Sequence, residues 1–160
     1  MKMKIFLRFL FGVTLILGLS ACSSESKSEF VLDNSSTYQT VKYTYRQKED
    51  TLTKVEVTVS IDARPDSEMG KSVKVIQDIM IQQLSSLNGV NAKTEFKENK
   101  LVTTIEVDFT KVSYSELLQS KGSPIKDIFL GVYVTGQGDK PSYSQSKSLI
   151  EGKGFKEKTK

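Results

Sequence analysis

Few side chains in this sequence combine a type and a spacing that could do chemistry. Glu106 and Asp108 stand two residues apart in the alternating run "TTIEVDF". A strand there would turn both carboxylates to one side, about 6.6–6.8 Å apart. Such a pair could work across a substrate as acid and base, or hold a hard cation such as calcium. Lys54 with Glu56 and Lys93 with Glu95 alternate in the same way, so a solvated, charge-mixed sheet face explains the pair more simply. Tyr133 and Tyr143 flank a glycine-containing loop at Gly136 and Gly138, where a tyrosine could bury its ring against a ligand and keep its hydroxyl free. Ordinary packing explains these two residues as well. Histidine is absent, which removes the commonest general base near neutrality and the commonest transition-metal ligand. With one cysteine, zinc, haem and iron–sulfur chemistry have almost no donors. Phosphate-cradling glycine loops and the GxSxG elbow are missing too. No catalytic residue, metal site or cofactor is assigned from these residues.

The one cysteine, Cys22, reads differently. It follows "MKMKIFLRFLFGVTLILGLSA", in which Lys2, Lys4 and Arg8 precede an uncharged run from Phe9 to Leu19. That run is too short for a spanning helix, which needs about 20 apolar residues, but it suits the apolar region of a secretion signal. The small residues Ser20 and Ala21 then stand where a processing enzyme needs them. Leu19-Ser20-Ala21-Cys22 resembles the lipobox of bacterial lipoproteins, in which the cysteine thiol is alkylated by diacylglycerol before cleavage in front of it. The resemblance implies that residues 1–21 are a signal peptide, that Cys22 is the lipid attachment point, and that the protein is anchored at the cell membrane on its extracytoplasmic face. Two acyl chains hold a protein stably where one is marginal. A cysteine used in this way is neither a disulfide partner nor a nucleophile.

Composition narrows the partners. Removing Lys2, Lys4 and Arg8 from 23 basic residues leaves a near-balance against 19 acidic ones, about +1. Nucleic-acid binding needs a concentrated basic surface, so no nucleic acid is expected. Attraction to anionic lipid is slight, which leaves the acyl chains as the membrane contact.

The elements that must position these residues follow from periodicity. Residues 22–37 are rich in serine and charge and read as a lipidated N-terminus with a flexible tether, with Phe30-Val31-Leu32 as the alternative of a short first strand. One domain is expected over 38–160, with order beginning near Thr40. "TVKYTYR" and "TKVEVTVSI" alternate with period two and form a hairpin around "QKED". After Pro65, Asp66 or Ser67 caps a helix whose stripe runs Met69, Val73, Ile76, Met80, Leu84 and Leu87, stopping near Gly89. A second hairpin joins "VNAKTEFK" to "LVTTIEVDF" through Glu98-Asn99. Ser113 and Glu116 fit a capping box for a short helix. Residues 125–134 leave helix, strand or apolar ligand-facing segment open. A last helix follows Ser142, with Phe155 folding back and a solvated "KEKTK" tail. The expected fold is α+β, an antiparallel sheet of about four strands with two or three helices on one face.

Together the lipobox, "VKYTYRQKEDTLTK", the helix before "NGVNAKTEF", "TTIEVDFTKV" and "GFKE" resemble the YehR-like lipoproteins, a family with a domain of unknown function. The resemblance covers most of residues 38–118 and the last helix, and departs most over 123–141. It implies a small α+β domain on a lipid anchor, with no activity, cofactor or binding residue beyond Cys22. The expected function is a lipid-anchored binding or accessory module for a small ligand or an envelope protein, its oligomeric state open. The alternatives are a carboxylate-based or cation-dependent envelope enzyme and a purely structural envelope protein.

Overall fold

Alternation in the sequence is realised as two hairpins. β2 (Thr37–Arg46) and β3 (Thr51–Asp62) are joined by one 3-10 turn at Gln47–Glu49, which Asp50 closes with φ at 48°. β4 (Val90–Lys97) and β5 (Lys100–Asp108) meet at a tight turn with Glu98 at φ 55°. The structure is a computed structural model that describes residues 24–35 and 37–159. Cys22 and the expected signal segment lie outside the described residues.

Among the described residues the sheet has six strands rather than about four, antiparallel and in the order β4-β5-β3-β2-β1-β8. Both additional strands come from segments expected to be polar and solvated. β1 (Glu25–Asn34) pairs with β2 along its whole length, from Glu25 opposite Arg46 to Asn34 opposite Thr37. A strand with one wet face needs apolar residues only on the other, and here Phe30 supplies the anchor, fully buried beside Val41. Regular sheet is therefore already present at Glu25, well before Thr40, and most of the expected tether is sheet. β8 (Lys156–Glu157) lies on the free edge of β1 opposite Phe30 and Val31, so the expected tail also joins the sheet. A two-residue ribbon, β6 (Gly136–Gln137) with β7 (Lys140–Pro141), completes the strands.

All helices described lie over the inner sheet face, which carries Phe30, Val41, Tyr43, Val55, Val57, Ile105 and Val107. α1 (Glu68–Ser85) crosses the β4–β5 side. Its N-terminus is capped by Ser67, whose Oγ accepts from the Gly70 amide at 3.0 Å. Gly70 itself sits so near the Arg64 carbonyl that a Cβ would lie 2.0 Å from that oxygen, so the entry turn admits only glycine. α2 (Tyr114–Gln119) is capped by Ser113, which accepts from the Glu116 amide at 3.1 Å. α3 (Ile125–Ile128) resolves the ambiguous stretch as one helical turn followed by a bend. Ile125, Phe129, Leu130 and Val134 from this stretch are core residues. α4 (Tyr143–Glu151) starts at Ser142 and brings Ile150 and then Phe155 back onto the sheet, as its sequence suggests.

The stripe expected on α1 is only partly buried. Leu84 is fully enclosed, whereas Met69 is 76% exposed and Ile76 66% exposed. Apolar residues cover more of this helix than the sheet can reach, and the helix is laid with its Leu84 side down.

Candidate functional site

Among the described residues nothing covers the outer sheet face, opposite the helices, and the face is ordered by charge. One cross-strand row runs Glu29, Lys42, Glu56 and Glu106, and the next runs Thr40, Thr58 and Thr104. The face is concave, a groove of about 780 Å³ walled on one side by Glu157, Lys158 and Thr159. Its charges pair internally: Lys42 with Glu56 at 2.9 Å, Lys54 with Glu106 at 3.4 Å and Lys158 with Glu29 at 3.4 Å. The Glu56 hydrogen bond raises the Lys42 ammonium above its ordinary value. Glu106 therefore belongs to a ladder of exposed ion pairs, each a small contribution to stability. Asp108 points to the same side but turns away, accepting from the Thr110 amide at 3.0 Å and the Thr110 hydroxyl at 2.5 Å. Burial opposes its ionisation, yet the Thr110 bonds and Lys111 outweigh it and hold the carboxyl below the usual range. The two carboxylates are thus engaged separately. No cluster of three or more metal-ligating side chains occurs among the described residues.

The inner face holds an apolar cleft of about 220 Å³ between α1 and the 125–134 segment. Val57, Val59 and Ile105 form its floor, Met80 and Gln77 one wall, Ile128 and Tyr133 the other. Tyr133 is buried rather than a surface candidate, its hydroxyl donating to Gln39 Oε1 at 2.9 Å, and burial pushes that hydroxyl above its ordinary pKa. One turn before Met80 on α1 stands Ile76, and with Met69, Val75 and Ile79 it continues the apolar surface out of the cleft. All four side chains are more than half exposed, Val75 at 58% and Ile79 at 56%. Met69 and Ile76 fit a core stripe by periodicity, and Val75 lies outside it, so the sequence does not set the patch apart from the core.

The late loop is a brace. Tyr143 lies flat on Tyr45, ring centroids 3.5 Å apart and planes within 4°, and meets Tyr43 edge-on at 5.9 Å. Burial and the Tyr143 hydroxyl push Tyr45 up to about 12. Tyr43 donates to the Tyr133 carbonyl at 2.6 Å beneath them. Beside this stack the Asp50 carboxylate accepts from the Ser142 hydroxyl at 2.5 Å, the Ser144 amide at 2.8 Å and the Ser144 hydroxyl at 2.7 Å. Burial works against ionisation of Asp50, but those donors prevail and its carboxyl is held below the usual range. Tyr143 and its loop thus fasten α4 to the β2–β3 turn. Asp50 was legible only as a polar turn residue.

With this geometry in view, the molecule is a small α+β domain with the YehR-like fold. The solved structure of YehR from Escherichia coli superposes with a TM-score of 0.62 at 15% identity, over 85% of this chain and 92% of that one. A protein from Streptococcus pneumoniae gives 0.60 at 19% identity, over 87% and 88%. These two likenesses establish the fold. In sequence the chain is homologous to uncharacterised lipoproteins of Listeria monocytogenes, 26% identical over 158 residues, and of Listeria innocua, 24% identical over 150 residues. The matches span 94% and 92% of both partners respectively. No family model matches the sequence. The protein is a lipid-anchored extracytoplasmic protein like these relatives.

Proposed function

We propose that the protein is a non-catalytic binding module, held by a diacylglyceryl group on Cys22 after removal of residues 1–21, that recognises a protein partner through the apolar side of α1. The observation that carries this reading is the exposed group Met69, Val75, Ile76 and Ile79, unpartnered among the described residues and continuous with the cleft at Met80. Clustered exposed apolar side chains mark interaction surfaces. A cleft of about 220 Å³ is below the range of roughly 300–1,000 Å³ typical of small-molecule sites, so the exposed helix is the larger part of the surface. α1 runs from the end of the sheet holding the β1–β2 turn toward the end where β1 starts, and the exposed residues occupy its first two-thirds. They lie far from the anchor, which favours a protein over the anchoring bilayer as the occupant.

Photocrosslinking in living cells tests this. A photoreactive residue at Ile76 is expected to give one discrete protein adduct that Ile79→Ser abolishes, while the same residue at Lys42 on the outer sheet face gives none. Identical adducts from both positions, or an adduct to lipid from Ile76, would count against the reading.

A further inference from the structure

Resting on the anchor at Cys22, we infer that the domain stands on the bilayer by one end of its sheet, the end formed by the β2–β3 turn, the Thr110–Lys111 turn and the β6–β7 hairpin. The partner of this surface is the lipid headgroup layer.

The argument begins with chain length. β1 is regular sheet from Glu25, where it pairs with Arg46. Only three residue steps separate Cys22 from Glu25, and fully extended they span at most about 10–11 Å. A diacylglyceryl cysteine has its glycerol at the membrane interface. The start of β1 must therefore remain within about one headgroup layer of the bilayer, since the interfacial regions add roughly 5–8 Å on each side of the hydrocarbon. The ten residues of β1 then carry the opposite end some 33 Å farther along the strand.

Which surface accompanies the start of β1 is fixed by the register. Arg46 opposite Glu25 leads directly into the Gln47–Glu49 turn, and Lys54 opposite Asp108 brings the end of β5 alongside. Hydrogen bonds tie these loops into one block. Tyr143 donates its amide to the Asp50 carbonyl at 3.0 Å, Tyr114 to the Asp139 carbonyl at 3.0 Å, and Asn88 Nδ2 to the Lys111 carbonyl at 2.6 Å. With the Asp50 carboxylate on Ser142 and Ser144, the end is a braced platform whose orientation follows β1.

The chemistry of the platform suits headgroups rather than acyl chains. Its charges are Lys48, Lys111, Lys140 and the half-buried Arg46 against Glu25, Glu49, Asp139 and the half-buried Asp50, and they cancel. Attraction to anionic lipid does not hold it down, and the short link does. The same orientation points Met69 and Ile76 away from the bilayer.

The experiment uses the full lipid-modified chain in vesicles of phosphatidylcholine and phosphatidylglycerol with a headgroup-nitroxide lipid. A fluorophore is placed at Lys48→Cys, or at Asn99→Cys in the β4–β5 turn at the far end. The label at 48 is expected to be quenched several-fold more than the label at 99, with no change on raising salt. Inserting a dozen Gly and Ser residues after Ser24 should bring the two labels close together in quenching. Equal quenching without the insertion, stronger quenching at 99, or loss of the difference in salt would overturn the inference. Failure of the wild-type chain to bind vesicles or to carry acyl mass on Cys22 would overturn the anchor and this inference together, and is read separately by flotation and mass spectrometry.

Discussion

Two covers lie on one sheet, and they are built to different standards. Over β1, β2 and β3, the segment from Ile125 to Phe155 leaves almost nothing loose: Ile125, Phe129, Val134 and Ile150 are fully enclosed. Aromatic rings meet edge-on from Phe129 to Tyr133 and from Tyr133 to Phe155. Over β4 and β5, the 18 residues of α1 bury only Gly70 and Leu84. One cover spends its apolar side chains on packing. The other keeps several of them in water, a standing cost that a fold alone gives no reason to retain. The difference separates the part of the molecule that holds the domain together from the part that is free to meet something else.

The comparison breaks if the tight cover does not carry stability. Phe129→Ala should lower the unfolding free energy by about 3–5 kcal/mol, the usual cost of emptying a core aromatic site. Chemical denaturation of the soluble domain would show it, and a loss of less than about 1 kcal/mol would mean the cover is dispensable.

Asp50 sharpens the comparison, because it ties the tight cover to the β2–β3 turn. Its carboxyl, like that of Asp108, titrates below the usual range in the folded protein. Stability from such a group is fully present above the unfolded value near pH 4 and drains away as pH falls through the lower folded value. Asp50→Asn keeps the left-handed backbone that φ 48° requires, which asparagine tolerates. It should cost about 1–2 kcal/mol at neutral pH and flatten the acid limb of a melting-temperature profile. An unchanged profile would mean that the serine donors satisfy themselves elsewhere.

The smallest effect belongs to the loose cover. Ile76→Ser should alter stability by no more than about 0.5 kcal/mol, since isoleucine and serine have similar helix propensities and the side chain packs on little. A large loss in the same denaturation experiment would show Ile76 to be core after all, and the two covers to be alike.

Period-two runs such as "TKVEVTVSI" announced their strands because branched residues alternate with charges for their whole length. β1 was harder to read. In "ESKSEFVLDN" Ser28, Phe30 and Leu32 alternate inward, but one of the three is serine and the outer positions are those of a solvated linker. Its pairing is supplied by β2, a partner the local sequence does not display. α1 was recognised by period and cap, yet periodicity reports where apolar residues lie on a helix and not how far a sheet extends beneath it. Glu106 and Asp108 lie on one side of β5, opposite Glu56 and Lys54, while the turn at Thr110 that captures Asp108 follows from local hydrogen bonding a strand pattern does not encode. The Asp50 brace joins residues more than ninety positions apart and leaves no local signature.

The pairing of β1 with β8 has a consequence for the order of folding. Val31 and Lys156 are roughly 125 residues apart in the chain, and closing so long a loop has an entropic cost that no local contact repays early. Until β8 arrives, the Phe30–Val31 part of the outer edge of β1 is a row of unfilled backbone donors and acceptors, the kind of edge on which other chains aggregate. The charges on that edge, Lys27 and Glu29, then act as guards during assembly, keeping the first strand from finding a stranger before it finds its own partner.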